Sequence, residues 1–576
     1  MKKSPFVTLY TPEADLPNDT SMPYPRPQLQ RDSFVSLDGC WDFAVASHGA
    51  KPRFDRTIRV PFPPQSALSG IGECFGDDTE LLYRRRFSLP EGFDRGRILL
   101  HIGAADQKAE VHLNGHLLGT HVGGYLPFSF DITEQLRKEG ENELCIRVTD
   151  HLDDHILPWG KQKHKRGGMW YTPVSGIWQS VWMESVPETY VKELHIQANE
   201  TGACITAAGV TEGMVVVTTP EGLTCAKMRE GKAQITLHAP RLWSPEDPYL
   251  YRFRLICGED TVHSYFACRT VTVGEVNGTP HLLLNGKPYF FHGLLDQGYF
   301  PDGIFTPAHP SRYEKDILLA KSLGFNTLRK HIKIEPQQFY YDCDRLGMIV
   351  FQDMVNNGAY SFLRDTALPT LGLKRRNDKN IHRDPRCRAA FLNTMEETVK
   401  ALANHPCICY WTIFNEGWGQ FDGDAAYSML RQWDTTRPID TASGWFEVRN
   451  SDVESPHVYF KPVKCRPAKK PLVLSEFGGY SLSIANHVAT PGQVYGYRRF
   501  TDESTFREAL LELYRNEILP AVRAGLSGAI YTQLTDVEDE VNGLVTYDRK
   551  HVKVDPTQMQ ALAAELMAAA TQEADS

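Results

Sequence analysis

Long hydrophobic runs are missing from this sequence of 576 residues, and no stretch approaches the length of a membrane-spanning helix. A surplus of positive charge is missing too. The 62 Lys and Arg residues against 71 Asp and Glu residues give a net charge of −9, which argues against a nucleic-acid partner. Pro12, Glu13 and Asp15 interrupt any apolar core of a signal peptide near the amino terminus. We therefore expect a cytoplasmic protein with no membrane partner.

Paired cysteine spacings are also missing. The 12 cysteines are scattered, and several of them, such as Cys407 and Cys409, lie inside apolar runs. Zinc sites need closely spaced pairs of Cys or His ligands, so the pattern predicts reduced thiols in the core and no structural zinc.

Helical periodicity is nearly absent between residues 27 and 186, where short alternating segments are separated by turn signals such as Asn114-Gly115. The pattern predicts a jelly-roll β-sandwich, similar to sugar-binding domains, over residues 1–186. A second β region, residues 187–275, has the size of an immunoglobulin-like sandwich. The basic run 161–166 is interpreted as a solvated loop. The aromatic stretch 167–178 is predicted either to reach a neighbouring site or to pack between domains.

Strands alternate with helices after residue 286, which is typical of a parallel sheet. Eight strands are predicted, at residues 289–294, 326–329, 348–352, 407–414, 439–442, 453–459, 471–475 and 526–533. The clearest helices are predicted at residues 311–323, 386–404, 424–433, 506–524 and 556–571. This count predicts a (β/α)₈ TIM barrel over residues 276–576 and makes the chain a multidomain protein.

Two of the predicted barrel strands end in a carboxylate. Strand four ends at Asn415-Glu416, and strand seven ends at Ser475-Glu476. One Glu at a strand end is more often a loop cap than a catalyst. Two of them share the catalytic face of a barrel, and glycoside hydrolysis needs such a pair, about 5 Å apart when configuration is retained. We therefore predict that Glu416 and Glu476 are catalytic.

These features resemble glycoside hydrolase family 2, which includes β-galactosidases, β-glucuronidases and β-mannosidases. The resemblance spans nearly the whole chain and rests on the two carboxylate motifs and on Leu37-Asp38-Gly39-Cys40-Trp41, Tyr83-Arg84-Arg85, Ser175-Gly176-Ile177-Trp178 and Thr546-Tyr547-Asp548-Arg549. It implies that Glu416 is the acid/base, that Glu476 is the nucleophile, and that Asn415 binds the sugar 2-hydroxyl. It also implies that His457 and Tyr459 lie beside the nucleophile.

Further substrate-binding residues are predicted around these two carboxylates. The resemblance implies that Arg329 supports the nucleophile, and at Tyr531 the family usually has Trp. The remaining candidates at the same face are His331, Lys333, Asp353 and Trp445. The chemistry requires no metal or other cofactor, and the resemblance implies that homo-oligomers are common.

The sugar is harder to predict than the reaction. β-Glucuronidases of the family hold the uronate with an Asn-x-Lys motif, where this chain has Glu540-Val541-Asn542. The acidic residues of the segment 536–540 would repel a carboxylate unless they point to solvent. Conversely, the cationic run 329–333 is able to pair with a galacturonate.

We predict a retaining exo-β-glycosidase that acts on small glycosides or oligosaccharides, with β-galactosides as the substrate. A β-galacturonidase is the alternative. A barrel that only binds carbohydrate, without catalysis, is the alternative from a different class.

Overall fold

The computed structural model of the protein describes residues 6–16, 23–370, 378–446, 448–464 and 469–575. Two β-sandwiches precede a parallel barrel, which is the predicted fold class. None of the helices in these ranges is long and apolar enough to cross a membrane. The cysteines in these ranges are free thiols; five of them lie in the core, including Cys407 and Cys409, whereas Cys40, Cys74 and Cys225 are exposed. The domain divisions at residues 186 and 275 stay predictions.

The strands of the first sandwich are β1 Phe34–Ser36, β2 Gly39–Ser47, β3 Arg56–Val60, β4 Thr79–Phe87, β5 Arg97–Ile102, β6 Ala105–Asp106, β7 Lys108–Leu113, β8 His116–Val122, β9 Phe128–Asp131, β10 Asn142–Thr149, β11 Gly176–Ile177 and β12 Val181–Val186. A six-stranded antiparallel sheet in the order β3-β2-β4-β10-β7-β8 packs against a four-stranded sheet in the order β1-β12-β5-β9. β6 and β11 form a small third sheet. Asn114 and Gly115 join β7 to β8 with positive φ at both positions, as a type I′ turn requires.

The second sandwich encloses a separate hydrophobic core between the sheets β13-β14-β17 and β16-β15-β18-β19. Its strands are β13 Glu193–Asn199, β14 Gly202–Ala208, β15 Gly213–Thr219, β16 Gly222–Met228, β17 Lys232–Thr236, β18 Tyr251–Cys257 and β19 Asp260–Phe266. A short antiparallel sheet follows, made of β20 Val271–Val276, β21 Thr279–Leu284 and β22 Lys287–Pro288. Leu282 and Leu284 of β21 pack into the barrel core and close the amino-terminal end of the barrel.

The barrel strands are β23 Phe291–Asp296, β24 Thr327–Lys330, β25 Ile349–Asp353, β26 Ile408–Asn415, β27 Ile439–Ser443, β28 His457–Val458, β29 Leu472–Phe477 and β32 Leu526–Tyr531. They form one parallel sheet in the order β27-β26-β25-β24-β23-β32-β29-β28. A separate pair, β30 Ser481–Leu482 and β31 Arg499–Phe500, lies outside this sheet. Each predicted strand overlaps an observed one. The sixth is shorter than predicted because Pro456 has no N–H for the ladder.

Eight α-helices lie in the described ranges. They are α1 Ser311–Ser322, α2 Gln337–Leu346, α3 Leu368–Thr370, α4 Pro385–Leu402, α5 Gly423–Trp433, α6 Glu503–Leu513, α7 Leu519–Arg523 and α8 Pro556–Asp575. The predicted helix 506–524 is interrupted by a π-helical turn, Tyr514–Ile518. Pro520 explains the interruption, because a proline inside a helix cannot donate to the preceding turn.

The loop between β10 and β11 carries the first sandwich onto the carboxyl end of the barrel. Trp159 donates from Nε1 to the carbonyl oxygen of Gly358 at 3.2 Å, and Thr306 donates to the carbonyl oxygen of Trp178 at 2.5 Å. Tyr171 and Trp178 are fully buried and pack in the same hydrophobic cluster as the barrel strands. The sandwich therefore forms part of the wall around the barrel's catalytic face.

Candidate active site

Glu416 follows β26, a strand whose residues are all buried. Its backbone has φ = +50°, in the left-handed region that few residues other than glycine adopt. Its N–H donates to the carbonyl oxygen of Ser443 at 2.9 Å, which holds this turn in place. Oε1 of Glu416 lies 2.8 Å from Nδ1 of His457. Backbone strain of this kind persists where neighbours fix the residue, as they do at active sites.

Glu476 lies in β29 and is surrounded by donors. Arg329 donates to Oε1 at 3.0 Å, and the Tyr459 hydroxyl donates to Oε2. Burial raises the pKa of Glu476, but the charges of His457 and Arg329 outweigh burial and lower this pKa to about 2. The carboxylate is therefore ionised at neutral pH, as a nucleophile must be.

The two carboxylates face each other across a short gap. An oxygen of Glu416, an oxygen of Glu476 and a ring nitrogen of His457 all lie within 4.8 Å of one another. Retaining glycosidases hold their carboxyl groups about 5–5.5 Å apart, whereas inverting enzymes need about 6.5–9.5 Å. The spacing therefore matches retention. Because the same three side chains also fit a metal ion by distance, the absence of a cofactor stays a prediction.

Arg329, on β24, binds most of the predicted residues together. Its guanidinium donates to Asn415 Oδ1 at 2.9 Å and, at 3.0 Å each, to Asp353, Glu476, Ser443 and the carbonyl oxygen of Ser475. Burial lowers the pKa of Arg329, but the charges of Asp353 and Glu476 raise it overall. Arg329 is thus a fully bonded cation that holds the Glu476 carboxylate in place.

Asp353 and His331 form a second pair beside this arginine. Nδ1 of His331 lies 2.7 Å from Oδ2 of Asp353. Burial lowers the pKa of His331 to about 4. For Asp353, burial raises the pKa, but the charge of Arg329 outweighs burial and the pKa is lowered overall. A neutral imidazole facing an anionic carboxylate donates from Nδ1, which leaves Nε2 of His331 as an acceptor.

Two aromatic residues predicted from the sequence also lie at the site. The Trp445 ring packs edge-on against His457 with centroids 5.6 Å apart. Tyr459 stacks on Tyr497 with centroids 3.7 Å apart. Tyr497 was not predicted, because it lies in an irregular segment where the sequence has no periodic pattern. It belongs to the site because its ring stacks on Tyr459, whose hydroxyl donates to Glu476.

Two predicted substrate-binding residues do not reach the carboxylates. Nζ of Lys333 donates to the carbonyl oxygens of Gly298 at 2.6 Å and Phe305 at 2.8 Å, and it pairs with Glu335. The hydroxyl of Tyr531 accepts from the backbone N–H of Tyr480 at 3.2 Å. Both side chains are engaged in contacts within the barrel, and their roles in sugar binding stay predictions.

Lys161 is the main site residue that the sequence analysis missed. The run 161–166 is predicted to be solvated, and Lys165 is indeed exposed, but Lys161 is only 7% exposed. Its ammonium lies 5.2 Å from the centroid of the Trp418 ring and 5.6 Å from that of Tyr171. A buried lysine at the start of an otherwise exposed basic run has no distinctive sequence signal.

The acidic run after β32 points inward and not to solvent. Glu538 accepts from the backbone N–H of Thr172 at 2.9 Å, and the hydroxyl of Tyr171 donates to Oε2 of Glu540. Asp536 pairs with Lys553 at 2.7 Å. These contacts join the sandwich loop to the barrel loop and hold the Glu540 side chain, which is 5% exposed, at their junction.

Aromatic rings gather near Glu416. Trp170 packs against Tyr360 with centroids 4.8 Å apart and against Trp418 with centroids 5.2 Å apart. Nε1 of Trp418 is buried and has no hydrogen-bond partner among the described residues. The charge of Glu416 contributes to the raised pKa of Tyr360, after burial. These rings form an apolar surface close to Glu416.

Comparisons with known proteins agree with this architecture. Residues 275–554 match the model "Glycosyl hydrolases family 2, TIM barrel domain", residues 189–269 match "Glycosyl hydrolases family 2", and residues 75–169 match "Glycosyl hydrolase 2 galactose-binding domain-like". Together with the site geometry, these matches show that the chain belongs to glycoside hydrolase family 2.

Individual relatives are distant in sequence. A β-galactosidase of Thermoanaerobacter pseudethanolicus is 26% identical over 58% of this chain, and the match spans 44% of that relative. The structure of a β-D-glucuronidase of Dictyoglomus thermophilum aligns with a TM-score of 0.71 at 19% identity, covering 95% of this chain and 98% of that chain. A β-galacturonidase of Eisenbergiella tayi aligns at 0.66 and 19% identity, covering 93% and 97%. At such identities the structural likeness supports the fold alone.

Proposed function

We propose that the protein is a retaining, exo-acting β-glycosidase that releases terminal β-linked galactose by double displacement. The observation that carries the proposal is the pair Glu416 and Glu476, with carboxylate oxygens within 4.8 Å of each other at the ends of two barrel strands. A carbohydrate-binding barrel without catalysis has no need for such a pair.

Each side chain has a defined role in this mechanism. Glu476, ionised and oriented by Arg329 and Tyr459, attacks the anomeric carbon and forms a glycosyl ester. Glu416 donates its proton to the departing glycosidic oxygen, so the aglycone leaves as an alcohol. Glu416 then accepts a proton from water, which attacks the anomeric carbon, breaks the ester and restores the carboxylate of Glu476.

The exo mode is supported by the junction between the sandwich and the barrel. The hydrogen bond between Tyr171 and Glu540 joins the sandwich loop to the barrel loop. In the proposal this junction limits the glycone side to a chain end, and the aromatic residues Trp170, Tyr360 and Trp418 lie on the side of the leaving group.

A neutral sugar is favoured by Glu540, which adds a carboxylate to the glycone pocket and would repel a uronate. Gln533 donates to Glu540 at 3.4 Å, and the hydroxyl of the preceding residue, Thr532, lies 3.1 Å from the Tyr459 hydroxyl, which donates to Glu476. The second candidate is a β-galacturonide, and the ammonium of Lys161 favours it. One of the similar structures is described as a β-galacturonidase.

A panel of aryl β-glycosides tests the proposal. The aryl galactoside, glucoside, mannoside, glucuronide and galacturonide are compared by their kcat/KM values. We expect the galactoside to have the highest value and the product to keep the β-configuration. Preference for the galacturonide would show that the substrate is a β-galacturonide. No turnover of any of the five glycosides would leave only a binding function.

A further inference from the structure

Lys161 reaches the pocket because the sandwich loop lies very close to the barrel rim. Gly160 has φ = +65°, and a Cβ at this position would lie 2.8 Å from the Tyr125 hydroxyl and 3.0 Å from the carbonyl oxygen of Ile332. Only glycine allows the loop to approach this closely. The N–H of Tyr171 donates to the carbonyl oxygen of Lys161 at 3.0 Å and fixes the residue that follows the glycine.

The side chain of Lys161 is mostly buried, yet its Nζ stays accessible. Trp418 and Tyr171 flank it with their rings. Over the part of the chain that the structure describes, we find neither a hydrogen bond nor an ion pair for its Nζ. Buried charges are normally paired, because an isolated ammonium loses its hydration without compensation. A cation left open at the wall of a substrate pocket therefore points to a ligand group as its partner.

Glu540 is the complementary open group. It is 5% exposed, and its Oε2 accepts from the Tyr171 hydroxyl and, at 3.4 Å, from Gln533. No hydrogen bond to Oε1 is found within the described ranges. After burial, the charge of Lys161 is the largest influence on the pKa of Glu540. Lys161 and Glu540 both contact Tyr171, the lysine over its ring and the carboxylate through its hydroxyl, and the two do not form an ion pair with each other.

We propose that Lys161 and Glu540 bracket one hydroxyl group of the glycone, an inference that rests on the proposed function. Through this contact the first sandwich helps to set the sugar specificity. An ammonium only donates and an ionised carboxylate only accepts, whereas a hydroxyl does both. A hydroxyl between them accepts from Nζ and donates to Oε1, which satisfies both groups. A carboxylate there would satisfy Lys161 and oppose Glu540, and a hydrogen would leave both without a partner.

Substitutions in Lys161 combined with monodeoxy substrates test this bracket. Lys161→Met removes the charge at similar volume, and Lys161→Arg keeps a donor. Aryl β-galactosides lacking the 3-, 4- or 6-hydroxyl remove the other partner. We expect Lys161→Met to lower kcat/KM for the parent galactoside by about 10- to 100-fold, as for a hydrogen bond to a charged group. For one of the deoxy substrates, the same substitution changes kcat/KM by less than about 3-fold, because the contact is already absent. Lys161→Arg restores part of the loss.

Lys165→Met is the matched control, since Lys165 lies exposed in the same loop. We expect it to behave as the wild type on every substrate. Equal losses for Lys161→Met on all four substrates would assign Lys161 a structural role and overturn the inference. A loss confined to the aryl galacturonide would show that Lys161 pairs with a carboxylate, which also overturns it.

Binding of free sugars separates this inference from the proposed function. Calorimetry with galactose and the matching deoxygalactose requires no turnover. We expect the wild type to bind galactose at least about 10-fold more tightly than the deoxy sugar, and Lys161→Met to bind the two about equally. A wild type that binds the two sugars equally, or binds neither, contradicts the bracket whatever the enzyme hydrolyses. If the wild type shows this difference in binding but no turnover, only the proposed catalysis is refuted.

Discussion

Two buried cations face the same pocket and differ in almost every other respect. Arg329, 1% exposed, comes from a barrel strand and donates to five protein groups around the nucleophile. Lys161, 7% exposed, comes from a loop of the sandwich and has only aromatic rings beside its ammonium. A saturated cation holds protein groups in place, whereas an unsaturated one is available to a ligand. In the proposed function, the barrel provides the reaction and the sandwich contributes to the choice of sugar.

The largest expected effect comes from Arg329→Met. It leaves the buried carboxylates of Asp353 and Glu476 without their shared cation, which costs about 3–5 kcal/mol of unfolding free energy. Denaturant unfolding measures this loss directly. Lys161→Met is the comparison, and we expect it to stay within about 1 kcal/mol of the wild type, because an unpaired ammonium contributes little to stability. Equal destabilisation by the two substitutions would contradict the distinction between them.

A smaller effect is expected from Tyr459→Phe, which removes a hydroxyl donor to Glu476. The hydrogen bond of Tyr459 helps to lower the pKa of Glu476, so this pKa rises in the variant. Since Glu476 attacks as a carboxylate, the acid limb of kcat/KM moves to higher pH, and the rate falls by about 10- to 100-fold. The pH profile of an aryl galactoside measures both changes.

Tyr497→Phe serves as the control for that pH shift. Tyr497 stacks on Tyr459 and has no hydrogen bond to Glu476. We expect its acid limb to coincide with that of the wild type. If Tyr459→Phe leaves the acid limb in place as well, the phenol does not stabilise the ionised nucleophile.

The smallest effect on activity is expected from Lys333→Met. Burial lowers the pKa of this lysine to about 8. Its ammonium donates to two backbone carbonyl oxygens and pairs with Glu335, and it does not contact Glu416 or Glu476. Losing these bonds lowers stability by about 1–3 kcal/mol. The ratios of kcat/KM among the five aryl glycosides should stay within about 2-fold of the wild type. A selective loss on one glycoside would restore Lys333 as a substrate-binding residue.

The fold was largely predictable because the barrel strands are apolar runs bounded by clear turn signals. The carboxylates Glu416 and Glu476 were predictable for the same reason, since each ends such a run. Lys161 was not predictable as a site residue, and for Glu540 the sequence left open whether the side chain faces the sugar or the solvent. The answer depends on how a sandwich loop and a barrel loop meet, and both residues lie in charged runs that usually face solvent. Lys333 was predicted to bind substrate because it lies in a cationic run. The sequence does not determine that its ammonium donates to backbone carbonyl oxygens of the barrel.

The central claim is that Glu476 attacks the anomeric carbon, and covalent trapping tests it most directly. A 2-deoxy-2-fluoro β-galactoside with an activated leaving group slows hydrolysis of the glycosyl ester, so the intermediate accumulates. Mass spectrometry of the digested protein then identifies the labelled residue. We predict one sugar per chain, attached to Glu476, and no label in Glu476→Ala. A label on another residue, or unlabelled protein that still hydrolyses the galactoside with inversion, would contradict the account.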